Sequence, residues 1–200
     1  QKSYDLANEC LNLADRVLLS IDRQDLPAFF LLTGTLLESN WRDARNCFEA
    51  GGKVLGRIEK SQRGRFLRLA EQLARVDGSL GVSFFMDVSR ALEHVDLPYH
   101  AHLLDLSERL FPLSPVAVND FLRNSFIILG KIRGSYLEVW FQEGLKLLQE
   151  NKESGHAYFR LESTRSEELL ETLSCGVELE KVRELLGMYS RALAGDDIQI

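Results

Sequence analysis

The sequence predicts an all-α fold: an array of short antiparallel helices, packed either as a degenerate, HEAT-like helical repeat or as an irregular bundle. Three observations carry this. Apolar residues recur at spacings of three and four through most of the 200-residue chain, which places them on one face of a helix. Start and stop signals such as Asp-Leu-Pro, Ser-Pro and Asp-Gly divide the chain into roughly nine to eleven helical segments of about ten to eighteen residues. No interior segment alternates apolar and polar residues as a half-buried strand does.

In order, Leu6, Cys10, Leu13, Ala14, Val17, Leu18 and Ile21 make Tyr4 to Ile21 an amphipathic helix. Asp25-Leu26-Pro27 starts the next one, because proline is tolerated in a first turn whose N–H groups lack intrahelical partners. Its body, Ala28 to Leu37, is apolar nearly all round, the pattern of a central, wrapped helix. From Trp41 a helix carries Phe48, Val54, Leu55 and Ile58, with a break or bend expected at Gly51-Gly52. Phe66 to Val76 and Val82 to Val95 follow, separated by Asp77-Gly78. Asp96-Leu97-Pro98 repeats the earlier start signal before Ala101 to Phe111. Ser114-Pro115 combines a capping serine with proline at the first helical position. Tyr136 to Leu148 is helical, Thr164 to Glu167 has the capping-box form, and Leu179, Val182, Leu186, Tyr189 and Leu193 form a last apolar face closed by Gly195. Residues 1–195 thus read as one helical domain. Residues 196–200, Asp-Asp-Ile-Gln-Ile, read as the beginning of a strand.

Composition narrows the class. An apolar share of 45% with 27% charged residues is that of an ordinary globular protein. The net charge of −6 argues against a general nucleic-acid binder, and the longest apolar run, Pro27 to Leu37, is too short to span a bilayer. Cys10, Cys47 and Cys175 are few, odd in number and far apart, which fits buried thiols in a reducing cytoplasm better than a disulfide framework.

Chemical motifs are weak. Gly51-Gly52-Lys53 lacks the earlier glycine and the Ser or Thr of a phosphate loop. Asp87-Val88-Ser89 opens like an Asp-x-Ser-x-Ser metal site, but its third member is Ala91. His94, His100 and His102 could serve a small metal-dependent enzyme only if they converged; their spacing reads better as exposed or capping histidines. No nucleophile, base and orienting group fall into a recognisable order, so neither catalysis nor a cofactor is expected. The clearest charge feature is basic: Lys53, Arg57, Lys60, Arg65 and Arg68 fall near one helical face. That face is either simply solvated or a docking surface for an acidic partner. Glu162 to Glu184 is correspondingly acidic, so the two regions could also face each other within one molecule or between copies. A repeat is suggested by Phe48 with Gly52 against Trp140 with Gly144, and by Gly64-Phe66 against Gly155-Tyr158-Phe159. In each pair a glycine would let an aromatic ring approach the backbone.

The last third of the chain resembles part of bacterial von Willebrand A domain-containing proteins of the NorD/CbbO-like group. The resemblance lies in Trp140 with Gly144, His156-Ala157-Tyr158-Phe159 with Glu162-Ser163, Leu173-Ser174, Gly176-Val177, and Leu185 to Gly195. It implies a helical region that precedes a metal-binding domain and works with a MoxR-type AAA+ ATPase to activate or remodel a target enzyme. The metal motif of that domain is not in this chain, so the resemblance transfers no functional residue. The expected function is a non-catalytic scaffold for an ATPase or its target. The alternative is a free-standing helical-repeat interaction protein.

Overall fold

The computed structural model describes residues 17–132, 134–161, 164–173 and 177–195; the strand expected at 196–200 lies outside them. All regular structure among these residues is helical, and it divides into two compact units, Gln1–Glu93 and His94–Ile200.

In the first unit, residues 17–20 are helical. Then come α1 (Leu26–Ser39), α2 (Trp41–Gly56), a 3-10 turn (Lys60–Gln62), α3 (Arg63–Val76) and α4 (Gly78–Ser83). A π-helical turn (Phe84–Val88) leads directly into α5 (Ser89–Leu92). The caps are local and readable. Asn40 accepts the Arg42 N–H at 3.0 Å, and Asp77 accepts that of Ser79 at 2.7 Å, each satisfying a donor with no partner inside its helix. α1 packs on α2, α3 and α4, burying Phe29, Leu32 and Leu36 completely. The core is aromatic: Phe66 stacks on Phe84 at 4.8 Å and lies 6.0 Å from Phe85. Cys47 is fully buried, and desolvation pushes its thiol up to about 12. It behaves as a small hydrophobe; Cys10 and Cys175 lie outside the described residues.

In the second unit the order is α6 (Leu97–Leu110), α7 (Pro115–Leu129), a 3-10 turn (Gly134–Tyr136), α8 (Leu137–Glu150), α9 (Lys152–Arg160), α10 (Thr164–Thr172) and α11 (Leu179–Ala194). α9 packs on α7, α8 and α11. Trp140, Tyr158 and Phe159 are fully buried among Phe121, Phe141 and Tyr189. Tyr158 donates its hydroxyl to the Trp140 carbonyl at 3.1 Å, which satisfies the one polar atom of a buried ring. α11 ends at Gly195, whose φ of +105° is the left-handed cap that glycine accepts at low cost.

The two units repeat one plan, in a register different from the one the glycine spacing suggests. α1 and α6 each have 14 residues and begin at the leucine of an Asp-Leu-Pro. α3 and α8 also have 14 each, at Arg63–Val76 and Leu137–Glu150, a shift of 74 positions. At that shift Leu55-Gly56-Arg57-Ile58 meets Leu129-Gly130-Lys131-Ile132. The cap Asp77 meets Asn151, Gly81 meets Gly155, and Phe66, Phe84 and Phe85 meet Trp140, Tyr158 and Phe159. Packing explains the register. A Cβ on Gly81 would fall on the Ala74 backbone and one on Gly155 on the Leu148 backbone, both inside 3.0 Å. Gly64, by contrast, has only the far end of Arg68 within 4 Å. The ring-against-glycine role holds for Gly144, against Tyr158 and Phe159, and for Gly51, against Phe29, but not for Gly52 or Gly64. α2 also runs unbroken through Gly51-Gly52, because these glycines accommodate Phe29, Ile21 and Ser20 without ending the helix.

Two substitutions separate the registers. Gly155→Ala should lower unfolding stability in urea by about 1–3 kcal/mol, the cost of overpacking against backbone that cannot yield. Gly64→Ala should be neutral or add up to about 1 kcal/mol through the helix preference of alanine.

Candidate functional site

α1 has no polar face, and among the described residues the fold covers only one side of it. Phe29, Leu32, Thr33 and Leu36 are buried, while Phe30 is 46% and Leu37 61% exposed. The expectation of a wrapped central helix is therefore corrected: its apolar second face is left at the surface. α2 begins one residue after α1 ends and brings Trp41, 50% exposed, Arg45 and Phe48 alongside. Phe30 and Phe48 stack with centroids 6.5 Å apart. Together these residues, with Thr33, Gly34 and Ala44, line a cleft of about 350 Å³. Its single hydroxyl is already engaged, since Thr33 donates to the Phe29 carbonyl at 3.0 Å. At the rim Arg45 pairs with Glu49 at 2.7 Å, and a second, polar depression of about 340 Å³ beside Trp41 is lined by Arg42, Arg45, Asn46 and Glu49. An apolar floor with a polar edge accepts apolar side chains at helical spacing. It offers no group for acid, base or nucleophilic work.

The basic residues singled out from the sequence are spread over three elements. Lys53 is exposed on α2, Arg57 caps that helix, Lys60 sits in the 3-10 turn, and Arg65 and Arg68 lie on α3. Two of them are held inside the unit. Arg57 pairs with Glu93 at 2.8 Å, and Lys60 shares Asp22 with Arg63 at 3.1 and 2.8 Å. The Lys60 hydrogen bond and charge, with Arg63, hold the Asp22 carboxyl below its usual range, whereas burial raises that of Asp25. Arg65 donates to Gln62 at 3.4 Å, and Arg68 is exposed.

The three histidines do not converge. His94 is exposed. His102 lies 3.9 Å from Glu138. His100 is fully buried, with Nε2 3.1 Å from the Val95 carbonyl, so of the two expected roles, exposed or capping, the exposed one is corrected here: the ring bonds the turn before α6. Among the described residues no three of His, Cys, Asp and Glu are grouped to hold a metal ion. Asp87 and Ser89 are likewise engaged locally. Ser83 donates to Asp87 at 3.2 Å, and Ser89 donates to the Met86 carbonyl at 3.0 Å.

One polar constellation was not legible in the sequence. Ser114, the cap of α7, accepts the Ala117 N–H at 3.2 Å and lies 2.8 Å from His156 Nε2 on α9. One turn further on, Asp120 receives Arg160 at 3.0 Å. Ser114 Oγ is committed to the helix end, so the pair fastens α9 to α7. Desolvation lowers the His156 pKa from 6.5, against the pull of Asp120, and desolvation raises that of Asp120 from 3.8, against Arg160. A neutral His156 in its Nδ1–H tautomer accepts the hydrogen bond of the Ser114 hydroxyl at Nε2.

Comparison with protein-family models, with curated proteins and with solved structures returns no match. No helix among the described residues is long and apolar enough to cross a membrane.

A histidine whose folded pKa is depressed contributes stability above its unfolded pKa, and that stability is lost as pH falls. Melting temperature should therefore drop on acidification from pH 7.5 to 5.5. His156→Gln, which keeps an acceptor near the Nε2 position, should flatten that dependence. The Asp120 shift runs in the opposite sense, and His156 and Asp120 act on each other, so the difference between the two profiles reports on the coupled pair.

Proposed function

We propose that the chain is a non-catalytic protein-interaction scaffold whose first unit offers the Phe30–Trp41 cleft to an amphipathic helix of a protein partner. The observation that supports this is the cleft itself: aromatic and aliphatic side chains from two consecutive helices, exposed together, with cations at one rim. Tryptophan and arginine are the side chains most enriched among residues that dominate binding energy. The resemblance of the last third to the NorD/CbbO-like group nominates the partner, a cytoplasmic MoxR-type AAA+ ATPase or the enzyme that it remodels. A second reading is favoured by the repeat. Two units built on one plan are what a free-standing helical-repeat interaction protein would contain, and its partner need not be an ATPase.

The test is binding of the purified chain to the purified MoxR-type ATPase of the source cells, with and without ATP. Trp41→Glu should weaken binding at least about tenfold, equivalent to ~1.4 kcal/mol. Lys53→Glu with Arg68→Glu reports on the alternative basic surface and should have the smaller effect. Absence of binding in either nucleotide state would remove the adaptor reading and leave the free-standing one.

A further inference from the structure

α2 presents two adjoining stripes at the candidate site. Successive residues turn by about 100° around a helix, so Trp41, Ala44 and Phe48 line the apolar cleft while Arg42, Asn46 and Glu49, spaced by four and three, run beside them. This second stripe borders the polar depression, and Trp41 and Arg45 line both it and the cleft. Apolar floor and polar edge are therefore one continuous surface on one helix.

The charge on that edge is positive. Arg42 is exposed and has no ion-pair partner among the described residues. Arg45 is turned to Glu49, but both side chains are open to water, at 45% and 39% exposure. A pair so exposed is worth little, and the guanidinium keeps donors for a second carboxylate. Asp43 lies two steps, about 200°, round the helix from Trp41 and so on its far side. Glu38, exposed one turn after Gly34, stands on the α1 edge instead. The two edges of the cleft thus differ in sign, and the α2 edge is positive in a chain whose net charge is −6. Long-range attraction to the whole protein favours cations; only this edge favours an anion.

We infer that the helix received by the groove is acidic on one flank: its apolar side chains enter the cleft, and Glu or Asp residues three or four positions apart meet Arg42 and Arg45. This rests on reading the cleft as a helix-binding groove, and the test keeps the two apart. Three synthetic peptides share one Leu/Phe helical face and carry a pair of Glu, Gln or Lys residues on the same flank; these three side chains have similar helix propensity. Fluorescence anisotropy of the labelled peptides with the full chain at low salt should rank affinity Glu, Gln, Lys, with about tenfold between the extremes, against the direction set by net charge. In high salt that ratio should fall to about twofold or less. Arg42→Glu places an acid in the first turn of a helix, where it is tolerated, and should abolish the ranking. Trp41→Glu should weaken all three peptides. Equal affinity for the three, still lost in Trp41→Glu, would overturn the acidic flank and keep the groove. Failure of every peptide to bind would remove the groove and the inference with it. Binding to phosphatidylserine vesicles in place of any peptide would also overturn it, by making this face a membrane contact.

Discussion

Each unit depends on one close approach of two helices. A helix ends, an Asx residue caps the next, and a glycine in that new helix lies against the backbone seven residues upstream, Gly81 on Ala74 and Gly155 on Leu148. With a side chain at either glycine the helices would stand apart. With none, the aromatic pair just beyond, Phe84-Phe85 or Tyr158-Phe159, is drawn onto Phe66 or Trp140. Ring burial of this kind is the largest apolar contribution available to domains of this size. The glycine contact is therefore small in energy and decisive in geometry.

The units diverge after that contact. In the first, the helix passes through a π-helical turn and continues to Leu92. In the second, it stops at Leu161, whose φ of +55° is costly for a residue other than glycine. Asn124 of α7 holds that end by donating to the Phe159 and Arg160 carbonyls at 2.8 and 3.0 Å. The side chains under the first two helices diverge as well. The second unit closes its groove over Val118 and Leu122, whereas the first keeps Phe30, Leu37 and Trp41 at the surface. Two copies of one plan thus differ in one face, closed over Val118 and Leu122 in the second unit and open at Phe30, Leu37 and Trp41 in the first.

Local features of the fold were legible from the sequence because helix period and capping are local properties. Ser114, Pro115 and Gly195 do what their residue types predict, and the limits of α1, α3, α8 and α11 fall within a turn of the expected ones. Features set by tertiary neighbours were not. An all-round apolar helix reports how much surface could be buried and not which side a neighbour covers, so α1 looked central and its open face, the candidate site, was missed. The repeat was matched on glycine-to-aromatic spacing, which does not show what lies opposite each glycine; the Asx cap with glycine four residues later is the stronger signature. His100 and the Ser114–His156 pair depend on contacts that spacing does not encode, the latter between residues 42 apart.

The exposed apolar residues of α1 and α2 form the groove proposed to take a partner's helix. Amide hydrogen exchange of the full chain, read by mass spectrometry peptide by peptide, tests it most directly. If the groove takes a helix of the partner, the amides of α1 and α2 around Phe30, Leu37, Trp41 and Phe48 exchange more slowly when the MoxR-type ATPase is added, while those of α3 are unchanged. Slowing confined to α3 and the Lys60 turn, with α1 and α2 unchanged, would contradict it.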